Sequence, residues 1–243
     1  MNKKISIKSL SIITPFKERS NNKLIETINF IYRQNLNISI NHLILYDHSC
    51  SEILQIKEIF PPKENYFLSF ISMSRKGIYN AINKGLDNLK KESYYIVIGA
   101  GDLIFLNNIK KFYMDKILMC KYKLSNKNHY INNLRNIYAG MPYCHNAIIF
   151  KLNNLRYSER YSICSDYDYF LNFLKLERIN ISDNKNFNNK INIVFESKNG
   201  VSSKSFFKKN FENLSILLKN KGLKYVFIYM FFNIKKLIKN KYD

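Results

Sequence analysis

The nine residues from Tyr94 to Asp102 (YYIVIGAGD) constrain the fold more than any other stretch of the chain. Within them, 95–98 (YIVI) form a run without polar alternation, which predicts a strand buried on both faces of a mostly parallel sheet. Gly99 and Gly101 then allow a sharp turn and a close approach by a ligand. Ligands bind at the carboxyl ends of strands in open α/β sheets, and Asp102 follows this strand directly. Taken alone, the segment is equally consistent with a plain turn that carries an aspartate.

The size and charge of the chain narrow the choice of partners. Its 243 residues suffice for one large α/β domain, with or without a small appendage. A net charge of +21 indicates a polyanionic partner: nucleic acid, an anionic membrane or a phosphorylated substrate. Part of this charge is attributable to biased coding, because Lys, Asn, Ile and Tyr are abundant together.

The cysteines and the N-terminus indicate the compartment. No C-x-x-C pair is present, so neither a zinc site nor a disulfide scaffold is predicted from Cys50, Cys120, Cys144 and Cys164. The start, MNKKISIKSLSII, is basic and then apolar, but it lacks a long apolar region and a small-residue cleavage site. It therefore predicts a first strand and not a signal peptide, and we expect a cytoplasmic protein.

Predicted strands and helices alternate through the first third of the chain, as in a doubly wound α/β sheet. Helices are expected where apolar residues recur every three or four positions after a capping side chain, and strands where apolar runs are continuous. The predicted order is strand Ser9 to Phe16, a helix capped by Asn21 or Asn22, strand Asn41 to Asp47, a helix from Ser49 or Ser51 to Phe60, and strand Tyr66 to Ser72.

A further helix is predicted within residues 74–93, just before the strand of YYIVIGAGD. Its interior contains Asn83 and Gly85, although glycine costs about 1 kcal/mol relative to alanine in a helix. A ligand close to the helix would explain them, and so would a frayed or broken helix.

A second pair of acidic residues lies at a predicted helix start near residue 165. Ser165 and Asp168 have the spacing of a capping box, which places Asp166 in the first turn, where the helix dipole favours an ionised carboxylate. Such a carboxylate can act as a general base, but first-turn acids also simply stabilise helices. His145, before an expected strand from Ala147 to Phe150, is compatible with either a structural or a binding role.

The C-terminal residues 204–243 are predicted to form two basic helices separated near Gly222. The apolar run from Tyr225 to Phe232 spans only about 12 Å as a helix, far less than a bilayer core. It is therefore expected to lie on an anionic membrane surface. The alternative is that Phe227, Phe231 and their neighbours pack against the preceding domain.

Several motifs, taken together and in order, resemble those of the bacterial family 2 glycosyltransferases that build capsular, O-antigen or colanic acid polysaccharides. The most specific pair is KGIYNAINKGLDNL followed by YIVIGAGDLIF, which is similar to a family segment leading into a short variant of the DxD motif. The resemblance covers roughly residues 9–205 and also rests on SIITPF, a helix with ETI and Gln34, LILYDHSCSE, MPYCHNAIIF, SDYDYFLNFLK and KNGVSS.

The resemblance implies a GT-A fold in residues 1–203, with a Rossmann-like, mostly parallel sheet flanked by helices and a helical arm in 204–243. It implies inverting, metal-dependent transfer of a hexosyl or N-acetylhexosaminyl group from a nucleotide sugar, with uridine as the expected base, to a lipid-linked or oligosaccharide acceptor. The implied partners are the donor, the lipid-linked acceptor and an anionic inner-membrane surface, without nucleic acid, and the implied location is the cytoplasmic face of that membrane.

The resemblance also assigns roles to individual residues. Asp102 is the expected ligand of Mn²⁺ or Mg²⁺, and Asp166 is the expected catalytic base. His145 and Asp168 are assigned to the acceptor or diphosphate side. The donor-binding residues implied are Thr14, Pro15, Asp47, Lys76, Asn83, Lys84 and Gly101. A turn at Asn199, Gly200 and Ser202 is a further candidate for contact with the donor.

The sequence departs from the family pattern at the metal motif. Gly99 and Ala100 stand where the family has an amide and a full DxD motif has an acid, and Arg75 and Met73 replace common acids. These departures keep open a catalytically inactive relative that serves as a partner subunit. The charge of +21 keeps open a nucleic-acid-binding protein, although the basic residues are spread along the chain and form no recognised nucleic-acid module.

Overall fold

The computed structural model describes residues 5–17, 21–47, 53–106, 112–114, 116–127, 130–131, 136–180, 187–195 and 205–242. The chain divides into two compact units. The first unit comprises Met1–Asn132, Asn146–Arg156 and Ile181–Ser197, and the second comprises Asn133–His145, Tyr157–Asn180 and Lys198–Asp243. His48, Ser49, Cys50, Ser51, His129 and the predicted turn at 199–202 lie outside the described residues.

The first unit contains ten strands and three helices within its described part. The strands are β1 (Ile5–Ile7), β2 (Ser9–Phe16), β3 (Ser39–Asp47), β4 (Tyr66–Met73), β5 (Tyr94–Val97), β6 (Leu103–Phe105), β7 (Phe112–Met114), β8 (Ile117–Leu124), β9 (Ile148–Lys151) and β10 (Phe187–Phe195). The helices are α1 (Asn21–Tyr32), α2 (Ile53–Ile59) and α3 (Ile78–Asp87).

Eight of these strands form one sheet in the order β4-β3-β2-β5-β9-β8-β10-β6. Strands β2, β3, β4 and β5 are all parallel, and β10 is parallel to β8. Strand β9 is antiparallel to β5 and β8, and β6 is antiparallel to β10. The predicted α/β fold class, a mostly parallel sheet with flanking helices, is confirmed.

Strand β5 is buried along its whole length, as its uninterrupted apolar sequence predicts. Tyr95 is fully buried, and its ring stacks on that of Phe150 on β9 with centroids 5.7 Å apart. The predicted elements around β5 also form, with boundaries that shift by up to a few residues.

Helix α3 continues through Gly85, so the frayed or broken helix that the sequence allowed at this position is not observed. A Cβ on Gly85 would lie only 2.9 Å from Cγ2 of Ile13 on β2. Gly85 is therefore explained by close packing of the helix on the sheet, and neither a ligand nor a broken helix is needed. The helix is also shorter than the 74–93 segment, since it covers Ile78–Asp87.

The expected strand from Ala147 to Phe150 begins later than predicted. Residues His145–Ala147 form a single 3-10 turn, and β9 starts at Ile148. The prediction is therefore wrong by one residue at this end, because Ala147 is the last residue of the turn.

The second unit is helical, with α4 (Ser165–Glu177), α5 (Phe206–Lys221) and α6 (Leu223–Tyr242). Two C-terminal helices are thus confirmed, and Gly222 between them has φ 91, a conformation that favours glycine. Their shared core joins α4 to both helices and consists of Ile163, Cys164, Tyr167, Leu171, Ile216, Leu217 and Tyr229.

The outer face of the two C-terminal helices is apolar and exposed. Phe227 and Phe231, which one alternative places in packing contacts, are 61% and 54% exposed, whereas Tyr229 between them is buried. Helix α5 likewise exposes Phe206, Phe207, Phe211 and Leu218, and α6 also exposes Leu223 and Met230. Among the described residues, no helix combines the length and apolar character needed to cross a bilayer.

Candidate functional site

The carboxyl ends of β2, β3 and β5 meet at one edge of the sheet. Strand β2 pairs with β3 on one side and β5 on the other, so the direction of winding reverses between β2 and β5. Crevices at such reversal points are where open α/β sheets bind ligands. Thr14 and Pro15 lie at the end of β2, Asp47 ends β3, and the loop from Gly99 to Asp102 follows β5.

Asp102 is buried at this edge, and its carboxylate is held by two donors. The backbone N–H of Gly99 donates to Oδ2 of Asp102 at 2.7 Å, and Nδ2 of Asn146 donates to the same oxygen at 3.1 Å. A Cβ on Gly99 would approach that oxygen to 3.1 Å, so glycine leaves room for the carboxylate to fold back over its own loop. The side chain is therefore fixed before any ligand arrives.

Helix α1 fixes the loop from the other side through Thr27, which is fully buried. Its hydroxyl accepts a hydrogen bond from the N–H of Gly101 at 2.8 Å and donates to the carbonyl of Asp102 at 3.1 Å. Gly101 has φ 96, which a residue with a side chain rarely adopts.

Gln34, two residues after α1, forms two hydrogen bonds with the backbone of the segment that follows Asp102. Its Nε2 donates to the carbonyl of Ile104 at 2.8 Å, and its Oε1 accepts from the N–H of Leu106. The ETI segment and Gln34 entered the sequence prediction only as family landmarks, and Asn146 was not predicted. No local pattern marks Asn146, because its partner Asp102 is 44 positions away.

The predicted donor residues differ in accessibility. Thr14 is fully buried, and its hydroxyl bonds to Nε2 of His42 at 2.9 Å, while Nδ1 of His42 bonds to the Tyr66 hydroxyl at 2.7 Å. Burial lowers the pKa of His42 to about 3, so this chain of three side chains is uncharged and links β2, β3 and β4. The Thr14 side chain is thus engaged inside the sheet, whereas Pro15 and Asp47 are partly exposed.

The residues predicted around α3 do not all lie at the same edge. Lys76 is exposed and precedes the helix, close to the end of β4, next to Gly77 with φ 125. Lys84 is in the last turn. Because α3 returns from the carboxyl end of β4 to the start of β5, Asn83 and Lys84 lie toward the opposite edge from Asp102.

A shallow groove of about 390 Å³ lies between α1 and β6, the strand that directly follows Asp102 in the sequence. Its lining is Glu26, Asn29, Phe30, Arg33, Gln34, Leu103 and Phe105. None of these is a predicted donor residue, so this groove adds nothing to the candidate site.

In the second unit, Asp166 lies in the first turn of α4, as predicted. The capping box is wrong, however, because Cys164 is the cap and Ser165 is already helical. The hydroxyl of Ser165 is buried and makes no hydrogen bond to the described residues. The side chain of Asp168 instead contacts Lys219 and Asn220.

Asp166 is partly buried, and this affects the pKa of its carboxyl group. Burial raises its pKa to about 6, although the N–H of Tyr167, 2.9 Å from Oδ1, and the charge of Lys209 act in the opposite direction. The helix dipole was expected to favour the ionised form, but desolvation outweighs it, so the net effect is a raised pKa. A carboxyl group with a pKa near 6 is well suited to take a proton at neutral pH.

Asp168 and His145 both have protein partners. The Asp168 carboxylate, 4% exposed, forms an ion pair with Lys219 at 3.2 Å and accepts from Nδ2 of Asn220 at 2.9 Å. Nε2 of His145 lies 2.7 Å from the hydroxyl of Tyr157, whose ring stacks on Tyr169. These contacts account for the burial of both side chains without a substrate.

A carboxylate that sequence analysis missed lies next to Asp166. Glu212 on α5 is buried and accepts four hydrogen bonds, from the N–H groups of Ser162, Ile163 and Cys164 and from the Ser162 hydroxyl, at 2.8 to 3.1 Å. Although burial alone raises its pKa, these donors bring it below the usual value. Nothing in the sequence marks this residue, because its partners are 48 to 50 positions away.

The donor set at Asp102 limits how a metal can bind. No group of three His, Cys, Asp or Glu side chains within the described part of the chain is arranged to hold an ion. A lone carboxylate does fit a Mg²⁺ or Mn²⁺ ion that takes its other ligands from a diphosphate and water. The residues present therefore fit a cation carried by the substrate.

The fold is shared with solved structures that bind nucleotide sugars. TarS from S. aureus, residues 1–349 in complex with UDP-GlcNAc, matches with a TM-score of 0.59 and 15% identity, over 88% of this chain and 67% of that one. The mannosyltransferase PcManGT from Pyrobaculum calidifontis, in complex with GDP-Man and Mn²⁺, matches with a TM-score of 0.58 and 12% identity, over 86% and 63%.

A longer TarS structure has a TM-score of 0.57 at 16% identity and matches over 88% of this chain and 40% of its own. The chain thus spans between 40% and 67% of the length of these structures. No protein-family model matches the sequence, and no curated protein does. At these identities the comparisons establish the fold.

Proposed function

We propose that the protein is an inverting glycosyltransferase that moves a sugar from a nucleotide diphosphate donor to a hydroxyl group. The observation that carries the proposal is the buried, pre-positioned Asp102 at the reversal point of the sheet. The shared fold supports it, since the similar structures were solved with UDP-GlcNAc and with GDP-Man and Mn²⁺.

On the donor side, Asp102 is the one predicted protein ligand for Mg²⁺ or Mn²⁺. A divalent cation supplies the positive charge that stabilises the departing diphosphate. Asn146 and the Gly99 N–H orient the carboxylate, while Thr27 and Gln34 hold the loop in place. Pro15, Asp47, Gly101 and Lys76 are proposed to contact the nucleotide and its phosphates, and the more remote Asn83 and Lys84 are weaker candidates.

On the acceptor side, Asp166 is proposed as the general base. Its pKa of about 6 leaves it mostly ionised at neutral pH and still basic enough to accept a hydroxyl proton. Attack by that oxygen opposite the departing diphosphate inverts the configuration at the anomeric carbon. His145 and Asp168 support the surrounding structure in this scheme.

The C-terminal helices support a membrane-bound acceptor. Residues 205–242 contain nine lysines and one acidic residue, and the apolar side chains of α5 and α6 described above are exposed. Each lysine near an anionic lipid surface contributes about 1 kcal/mol to binding. We therefore propose that residues 1–203 carry out transfer and that residues 204–243 hold the protein on the cytoplasmic face of an inner membrane, where a lipid-linked saccharide is extended for a surface polysaccharide.

The transfer proposal is tested with purified protein and a panel of UDP- and GDP-sugars, with Mn²⁺, Mg²⁺ or EDTA. We expect release of the nucleoside diphosphate with one donor, dependent on the divalent ion. Binding without release, with or without an acceptor extract, would favour the catalytically inactive partner subunit, for which the single carboxylate at the metal position is the supporting observation.

The membrane proposal is tested by flotation with phosphatidylglycerol and phosphatidylcholine vesicles. We expect binding to the anionic vesicles only, weakened by salt and by the double substitution Phe207→Ser and Phe211→Ser. Phe67→Ser is a matched control, because Phe67 is 58% exposed on β4 of the first unit. Equal binding by the double variant would contradict the proposed surface.

A further inference from the structure

The burial of Glu212 calls for an explanation, because a buried carboxylate is costly unless its hydrogen bonds compensate. It is 6% exposed, and its two oxygens accept four hydrogen bonds. The four donors all come from the short segment 162–164. This one side chain therefore forms hydrogen bonds with three consecutive residues.

That segment is the entry to helix α4. Cys164 is the helix cap, and its N–H donates to Oε2 of Glu212 at 2.8 Å. The carbonyl of Cys164 in turn accepts from the N–H groups of Tyr167 and Asp168 at 3.0 and 3.2 Å. No cap side chain bonds to the helix end. Glu212 on α5 accepts from the N–H of the cap residue, which is the role that a Glu or Gln in the first turn has in a capping box.

Helix α5 holds the first turn of α4 at a second point. Lys219 and Asn220 both bind the carboxylate of Asp168. Asp166 lies between the two tethers, two residues after Cys164 and two before Asp168. The place and direction of its side chain therefore depend on where α5 fixes the start of α4.

We infer that Glu212 is a positioning residue for Asp166, which it places by fixing the cap of helix α4. The inference rests on the proposed function of Asp166 as the base, and it adds a residue of the C-terminal helices to the requirements for transfer. It also gives α5 two roles, since the same helix exposes Phe207 and Phe211 on its other side.

The charge of Glu212 provides a readout that loss of packing would not change. Asp166 is affected by burial, by the Tyr167 N–H, by the positive charge of Lys209 and by the negative charge of Glu212, which raises the pKa of Asp166. Glu212→Gln removes that charge and places an NH₂ group opposite N–H donors. We expect the pKa of Asp166 to fall and kcat to fall by about 100-fold, with the KM for the donor little changed.

The experiment compares the parent, Glu212→Gln and Asn213→Ala in two assays. The ¹³C carboxyl resonance of Asp166, assigned with Asp166→Asn, gives its pKa without any substrate, and initial rates from pH 5 to 8 give kcat and KM. Asn213 is the matched control, because it is the next residue on α5, equally buried, and bonds to the Tyr229 hydroxyl at 3.0 Å. It should lose stability with the pKa of Asp166 unchanged.

A folded Glu212→Gln protein with the parental kcat, or with a lower kcat and an unchanged pKa of Asp166, would overturn the inference. Should that variant not fold, Ser162→Ala removes one of the four hydrogen bonds and is expected to lower kcat about fivefold. An unchanged kcat there would also overturn it. If the parent shows no transfer at all, the proposed function fails, and the resonance of Asp166 still reports whether Glu212 acts on it.

Discussion

The two carboxylates assigned to chemistry, Asp102 and Asp166, differ in the groups that hold them. Asp102 follows a strand and is held by a backbone N–H and an amide, on a loop that Thr27 and Gln34 also restrain. Asp166 lies on a helix, and backbone N–H groups of the first turn, among them that of Tyr167, donate to its carboxylate. Burial nevertheless raises its pKa to about 6.

This difference indicates that the two carboxylates have different chemical roles. A carboxylate that hydrogen-bond donors hold in place, as Asp102 is held, is suited to bind a cation. A carboxyl group whose pKa is raised to about 6, as that of Asp166 is, is suited to exchange a proton near neutral pH. Each prediction below tests one side of this contrast.

The largest effect is expected for Asp166→Asn. The amide keeps the size of the side chain but cannot accept a proton, so kcat should fall about 10³-fold while nucleotide affinity is retained. Steady-state kinetics and UDP binding measure both. Asp87→Asn is the control, since Asp87 is an exposed carboxylate paired with Arg156 on the surface. A kcat within threefold of the parent would remove Asp166 as the base.

A smaller loss, about 10²-fold in kcat/KM, is expected for Asp102→Asn. The amide oxygen can still accept from the Gly99 N–H, so the loop should keep its fold, but the charge that attracts the cation is gone. Titration of activity with Mn²⁺ should show a higher concentration for half-maximal rate. The same metal dependence as in the parent would contradict the role of Asp102.

Asn146→Ala should reduce kcat/KM about tenfold, because Asp102 loses one of its two described orienting donors. The circular dichroism spectrum should be unchanged. Asn153→Ala on the same segment is the control, since Asn153 accepts from the Leu155 N–H instead. Equal effects of the two substitutions would show that Asn146 has no special connection to Asp102.

The smallest effect concerns stability and pH. Because folding raises the pKa of Asp166 from 3.8 to about 6, its protonated form stabilises the folded state at low pH, and this contribution is lost as the pH rises through 6. Asp166→Asn should therefore increase the free energy of unfolding by about 1 kcal/mol at pH 8 and by almost nothing at pH 4. Urea unfolding at both values measures this, and a difference independent of pH would contradict the raised pKa.

The sequence predicts the parts of the molecule that depend on local pattern. The continuous apolar run of β5, the alternation of strands and helices and the two C-terminal helices are all present, because burial periodicity and Gly222 determine them locally. Asp102 and Asp166 could be singled out as candidates because each stands at the end of a recognisable element.

The parts that were missed depend on contacts between distant positions. Glu212 binds the cap residue of a helix that starts 47 residues earlier, and Asn146 donates to Asp102 across 44 residues, so no local pattern reveals either. The error at Ser165 has the same origin: the sequence offered a capping box within the helix, but the cap is Cys164, whose N–H donates to Glu212 on α5. Gly85 was similarly assigned to a ligand or a broken helix when its neighbour is Ile13.

The central claim is that one carboxylate serves the donor's metal and the other serves the acceptor's proton. Calorimetric titration of UDP in the presence of Mn²⁺ into the parent, Asp102→Asn and Asp166→Asn proteins tests it most directly. The account predicts that Asp102→Asn weakens UDP binding at least tenfold, while Asp166→Asn binds UDP as the parent does. Equal weakening by both substitutions, or by neither, would contradict it.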